Sequence, residues 1–172
     1  MKLCLTTWLF HHPLQQGTVE PERVFRFFGV ELQARSVEVP KTTWPDWSDA
    51  GVKRLKALAA EHGLEFGAIA AQNHFNEADP KLRQKEVDLV KEFIDHSAVL
   101  QAKVLNVFFA GWGDPAQAVR LYNEMLENLL EVTDYAAQRR VVLGVEAHGP
   151  GTKNAGEMLA LARRVNSPWL KL

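Results

Sequence analysis

The sequence predicts an α/β fold with about six parallel strands and five helices, and three observations carry that expectation. Short apolar runs alternate with longer stretches whose apolar residues recur at helical spacing. The run 141–147 opens on Val141, Val142, Leu143 and Val145, apolar as in a strand buried on both faces of a sheet. The segments after the strands are rich in aromatic, His and Gly residues, whereas the turns that lead back into strands are short and plain. That asymmetry marks one face as the working face. Regular strand–helix alternation gives parallel βα units with right-handed crossovers.

The elements follow in order. The first strand is expected at 2–8, and a helix then runs from Pro21, a residue suited to a first turn, toward Gln33. After a strand at 36–39 comes a helix at 48–62, with Ser48 as N-cap and Gly63 as stop. Val52, Leu55, Leu58 and Ala59 form its apolar stripe. The third strand is expected at 64–72. The next helix starts near Pro80 and carries Val87, Val90, Phe93 and Ile94. A strand at 103–109 leads through Asp114-Pro115 into one helix with Val119, Tyr122, Leu126, Leu129 and Leu130. The strand at 141–147, a helix at 154–164 and a strand beginning near Trp169 complete the series. No repeat, low-complexity tract or linker interrupts it, so residues 1–172 read as a single domain.

Composition removes several function classes. The 172 residues are 47% hydrophobic and 24% charged, as in an ordinary globular protein. Twenty basic and 21 acidic residues leave a net charge of −1 with no basic block, so no nucleic-acid partner is expected. No uncharged apolar stretch reaches membrane-spanning length and no secretory pattern opens the chain. A cytoplasmic location without a membrane partner is therefore expected. Cys4 is the sole cysteine, which excludes an internal disulfide; in Leu3-Cys4-Leu5 it is expected as a small buried core residue. Zinc spacings, a Gly-rich phosphate loop and a Gly-x-Ser-x-Gly elbow are all absent.

The strongest chemical signal is the carboxylate and imidazole at the end of the fifth strand, Glu146 and His148, before Gly149-Pro150-Gly151. Alternation puts both on one side of the strand, at the C-terminal end where parallel α/β folds place ligands. Glu146 serves as acid/base group, or caps the turn or pairs with an arginine. His148 binds a substrate hydroxyl or orients Glu146, or is an exposed loop histidine. Glu38, between Val37 and Val39 on the second strand, faces a site or forms a structural ion pair. Asn73 and His74 follow the third strand and are candidates to touch substrate. Alternation sends them opposite ways, so only one is expected at the site. Trp8 and Trp112 end the first and fourth strands; packing or loop anchoring is favoured over an aromatic wall at the site, although Trp112 stays a substrate-binding candidate. His11-His12 reads as a solvated loop, and His62 and His96 as surface residues on helices.

Taken together, Gly144-Val145-Glu146-Ala147-His148-Gly149 with Thr152 and Ser167-Pro168-Trp169-Leu170 resembles the xylose isomerase-like TIM-barrel superfamily. So do Val37-Glu38-Val39, Gln72-Asn73-His74-Phe75 and Val107-Phe108-Phe109-Ala110-Gly111-Trp112. The sugar-phosphate isomerase/epimerase branch is the most similar. The resemblance implies a divalent metal (Mn, Mg, Co or Zn) held by a Glu on the fifth strand, an Asp on the sixth, a His on the seventh and a Glu on the eighth. Glu146 matches the first of these. A complete barrel of this kind needs about 250 residues. The expected fold is therefore a partial (β/α)8 TIM barrel: one incomplete domain over residues 1–172, truncated at its C-terminus.

The function this resemblance implies is a divalent-metal-dependent sugar or sugar-phosphate isomerase or epimerase. It would move a proton through a metal-stabilised enediolate, with a small sugar or sugar phosphate as substrate and Glu146 as both metal ligand and catalytic group. With the other ligands missing, the alternative is an inactive barrel remnant that holds no metal and turns nothing over. An apurinic-site endonuclease is a third reading, disfavoured by the near-neutral charge. Self-association is expected through the open sheet edges at the first and sixth strands, where Leu3, Leu5, Leu170 and Leu172 would be exposed.

Overall fold

The computed structural model describes residues 3–111 and 114–172. Six strands alternate with helices: β1 (Cys4–Thr6), β2 (Ser36–Pro40), β3 (Glu65–Ala70), β4 (Val104–Phe108), β5 (Leu143–Glu146) and β6 (Leu170–Lys171). The strands are ordered as in the sequence, β1-β2-β3-β4-β5-β6. Among the described residues the α-helices are α1 (His11–Gln15), α2 (Pro21–Arg26), α3 (Asp49–Glu61), α4 (Pro80–Leu100), α5 (Pro115–Arg120), α6 (Tyr122–Arg139) and α7 (Ala155–Val165). The chain forms two compact units, Met1–Ala70 with His96–Lys103, and Ala71–Asp95 with Val104–Leu172, the division falling within α4.

In the first unit β1, β2 and β3 pair in parallel, with Gly67 skipped between Phe66 and Ala68 in the register against β2. A Cβ on Gly67 would stand 2.4 Å from Ser36 Oγ and 2.6 Å from Cys4 Sγ, so only glycine fits that bulge. Val37 and Val39 are fully buried and Glu38 between them is half-buried, the period of two that a strand imposes. α2 continues through a π turn at Phe27–Glu31 to reach the length expected of the first helix. Ser48 caps α3 by accepting from the Gly51 N–H at 3.2 Å, and Gly63 stops it with φ +68°. Beside that cap, hydrogen bonds from Ser48 and the Arg54 guanidinium lower the Asp46 carboxyl from 3.8 to about 2.

Because its folded pKa lies below its unfolded one, Asp46 contributes stability fully above about pH 4, and loses it as pH falls through about 2. Urea midpoints of the native protein and Asp46→Asn are expected to differ by a constant amount above pH 5. They should converge between about pH 4 and 2. A constant difference down to pH 2 would contradict this account of the cap.

In the second unit β4, β5 and β6 are parallel, with Leu105 opposite Leu143 and Leu143 opposite Leu170. Val87, Val90, Met125, Leu129, Val132, Leu143, Val145 and Leu161 are buried to 3% exposure or less. Each such aliphatic side chain contributes roughly 1.5–3 kcal/mol by leaving water. Asn154 caps α7 by accepting from the Glu157 N–H, and Glu157 accepts in return from Asn154 and from the Lys153 N–H, a reciprocal cap.

Several local expectations change. The helix after Asp114 is divided in two at Leu121 (ψ 17°), although no Pro or Gly stands there, so the apolar period runs through the bend unmarked. His11-His12 lies in α1 rather than in a loop, with His11 stacked on Trp8 at 4.2 Å. Cys4 is exposed, not core, because among the described residues β1 is an edge strand paired only with β2. His96 is buried rather than on the surface, because Trp47 stacks on it at 5.7 Å. Leu3 and Leu172 are exposed as expected, whereas Leu170 is 6% exposed, since β6 pairs with β5. No described helix is long and apolar enough to cross a membrane.

Candidate functional site

β5 buries Leu143 and Val145 and turns Glu146 out at its C-terminal end, with 46% of that side chain exposed. The parallel register with β4 sets Asn106 opposite Gly144 and Phe108 opposite Glu146. Residues two apart share a face of a strand, so the Asn106 amide reaches along β4 to the carboxylate. Its Nδ2 donates to Glu146 Oε2 at 2.7 Å. The His148 imidazole faces the other oxygen, Nδ1 standing 3.6 Å from Oε1, and it lies against the Phe108 ring with centroids 4.4 Å apart and planes 20° apart. Carboxylate and imidazole are thus brought together on one side of the strand end.

The turn beneath them is built by Thr152, which is fully buried. Its hydroxyl accepts from the His148 N–H at 3.0 Å and donates to the Gly149 carbonyl at 3.2 Å. Gly149 and Gly151 have φ of +79° and +84°, a region that side chains disfavour. At Gly151 a Cβ would also stand 2.6 Å from the Phe109 ring. Gly151→Ala is therefore expected to destabilise the fold by about 2 kcal/mol, combining backbone strain with overpacking. A thermal melt within a degree of the native one would refute that reading of the turn.

The other candidates are placed as follows. Asn73 is fully buried, and its amide grips the Phe108 backbone from both sides: Nδ2 donates to the Phe108 carbonyl and the Phe108 N–H donates to Oδ1, each at 2.9 Å. His74 donates its backbone N–H to Glu86 Oε2 at 2.8 Å and packs where Gly111 leaves room for its ring. Gln72 before them has φ +54°, which breaks the strand alternation on which their opposite orientation was based. Glu38 stands in the first unit; its backbone carbonyl accepts from Thr7, and its carboxylate has no partner among the described residues. Trp112 lies outside the described residues. Trp8 is 41% exposed.

Sequence reading missed Asn106, Phe108 and Glu86. Asn106 carried a signal, as the one polar residue within Val104-Leu105-Asn106-Val107-Phe108, on the strand next to the acid.

Glu146 and His148 offer one carboxylate and one imidazole. No group of three or more His, Cys, Asp and Glu side chains that could hold a metal ion occurs among the described residues. The amide oxygen of Asn106 has no partner among the described residues but is sealed from solvent, so it offers no ligand to an entering cation. Hard divalent cations need several such ligands in fixed geometry. The described residues by themselves do not fit a metal centre.

The model of the xylose isomerase-like TIM barrel family matches residues 27–172. The chain belongs to this family. Among solved structures, D-psicose 3-epimerase from Clostridium cellulolyticum, bound to D-tagatose, matches with a TM-score of 0.77 at 15% identity, over 99% of this chain and 62% of that one. The probable 3-DHS dehydratase from Bacillus anthracis matches with a TM-score of 0.76 at 18% identity, over 99% and 61%. A xylose isomerase-like TIM barrel protein from Mycobacterium smegmatis, in complex with magnesium, matches with 0.71 at 16%, over 87% and 54%. At such identities the likeness shows the fold, a partial TIM barrel. This family member spans about three-fifths of the length of those epimerase and dehydratase chains. A search of curated proteins finds no match.

Proposed function

We propose that this xylose isomerase-like chain, as one incomplete barrel domain, serves a cytoplasmic sugar or sugar-phosphate isomerase or epimerase, with Glu146 as its acid/base carboxylate. The observation that carries this is the pose of Glu146: half-exposed at the C-terminal end of β5, one oxygen held by Asn106 and the other facing His148. A tethered, open carboxylate can take a proton from the carbon beside a sugar's carbonyl. It can then return the proton to the neighbouring carbon on the same face, whereas epimerisation needs a second acid on the substrate's other face to deliver the proton there. His148 is placed to bind a substrate hydroxyl or orient the carboxylate. Family membership and the epimerase among the structural matches support the reaction class. Glu38, His74 and Trp112 stay proposed contacts to substrate.

The metal dependence proposed for the enzyme, with Glu146 as one ligand to Mn, Mg, Co or Zn, requires ligands beyond Glu146 and His148. Residues 1–172 alone are accordingly expected to bind Mn²⁺ weakly or not at all in a calorimetric titration. Tight one-to-one binding that disappears in Glu146→Gln would overturn this and show that this chain, or a second copy of it, completes the site. Self-association through the free edges of β1 and β6 is part of the proposal and is read by sedimentation.

A further inference from the structure

We propose that Asn73 and Asn106 are positioning residues that act from β4 on the Glu146–His148 pair, Asn106 directly and Asn73 through the ring of Phe108. Its functional meaning rests on Glu146 being the reacting carboxylate, but its geometry does not.

A glutamate at a strand end has three freely rotating bonds, and a half-exposed one samples many rotamers. Here Asn106 Nδ2 fixes Oε2 from the neighbouring strand at 2.7 Å. The amide is neutral, so it restrains the carboxylate without the full charge that a lysine or arginine would bring. Oε1 is left as the oxygen directed toward His148 and the open side.

The imidazole is held on its other side by a flat surface. Phe108 lies nearly parallel to it at 4.4 Å, and that contact works only if the phenyl plane is fixed. Phe108 is the last residue of β4, where a strand would ordinarily fray. Asn73 prevents this by bonding the N–H and the carbonyl of Phe108 with one side chain, as a paired strand residue would. Because Asn73 is fully buried and both ends of its amide are engaged, it acts on the site through Phe108 rather than by touching substrate.

The test is NMR on the 172-residue chain without substrate, so that its failure and the absence of isomerase activity are separate results. One Asn106 side-chain N–H is expected to resonate downfield of free amides and to return to the free value in Glu146→Ala, a substitution at an exposed position. In Asn73→Ala the Phe108 backbone N–H is expected to lose at least tenfold more protection than the Leu105 N–H, which is bonded to Val142 and reports any change in global stability. The His148 ring protons, shifted upfield by the phenyl face, should move toward random-coil positions in Phe108→Leu and part of the way in Asn73→Ala. Phe108→Leu keeps an apolar side chain at the strand end, so it reads the stack even if Asn73→Ala does not fold. Asn106 N–H signals indifferent to Glu146→Ala, or His148 ring signals indifferent to Phe108→Leu, would overturn the corresponding half of the proposal.

Discussion

Joining residues 1–172 to the C-terminal segment of a complete homologous barrel is expected to raise the melting temperature and to create sugar or sugar-phosphate epimerase or isomerase activity. In that chimera Glu146→Gln is expected to lower kcat by about 10²–10⁴-fold, the usual worth of a positioned acid/base group. The substitution keeps size and shape, and a glutamine oxygen can still accept from Asn106 at the place of Oε2. It removes the ability to carry a proton, so the loss should appear in kcat with a smaller change in KM. The rise in melting temperature follows from the strand edges. Among the described residues β1 pairs only with β2 and β6 only with β5, and Leu3 and Leu172 are more than half exposed. Covering those edges pairs backbone groups and removes apolar surface from water. A chimera that folds but turns over no sugar or sugar phosphate would end the isomerase assignment. One whose activity survives Glu146→Gln would end the role given to Glu146.

The second large effect is expected at Asn73. Truncation to alanine leaves the Phe108 N–H and carbonyl without their shared partner in a site that water does not reach. Each unmade buried hydrogen bond costs about 1–3 kcal/mol, so Asn73→Ala is expected to lose about 2–4 kcal/mol in urea unfolding. Against a total stability of about 5–15 kcal/mol that is a large share. Asn106→Ala, at a half-buried residue with one bond to an exposed carboxylate, is expected to lose about 1 kcal/mol or less. Equal losses at the two positions would mean that the clamp on Phe108 is not what holds the end of β4.

Much of the architecture was legible because it depends on short-range periodicity. The alternation of Val37, Glu38 and Val39 has a period that only a strand satisfies, and Val52, Leu55, Leu58 and Ala59 fit only a helix. Ser48 and Gly63 marked the ends of α3 because a hydroxyl acceptor and a positive φ are local requirements. Glu146 and His148 were legible together for the same reason: alternation alone puts them on one side of the strand end.

What the sequence by itself determined, then, was the order of strands and helices and the buried face of the strongly periodic ones. Only the tertiary structure decided which side chains meet across elements. It exposed Cys4 at a strand edge, buried His96 under Trp47, and bent the helix at Leu121 without any breaker residue. It also tied Asn106 to an acid 40 positions away and set Asn73 on the backbone of Phe108, 35 positions away. The physical reason is that periodicity is a property of neighbouring dihedral angles. A hydrogen bond between distant residues depends instead on register, twist and packing, which are fixed only when the whole chain has folded.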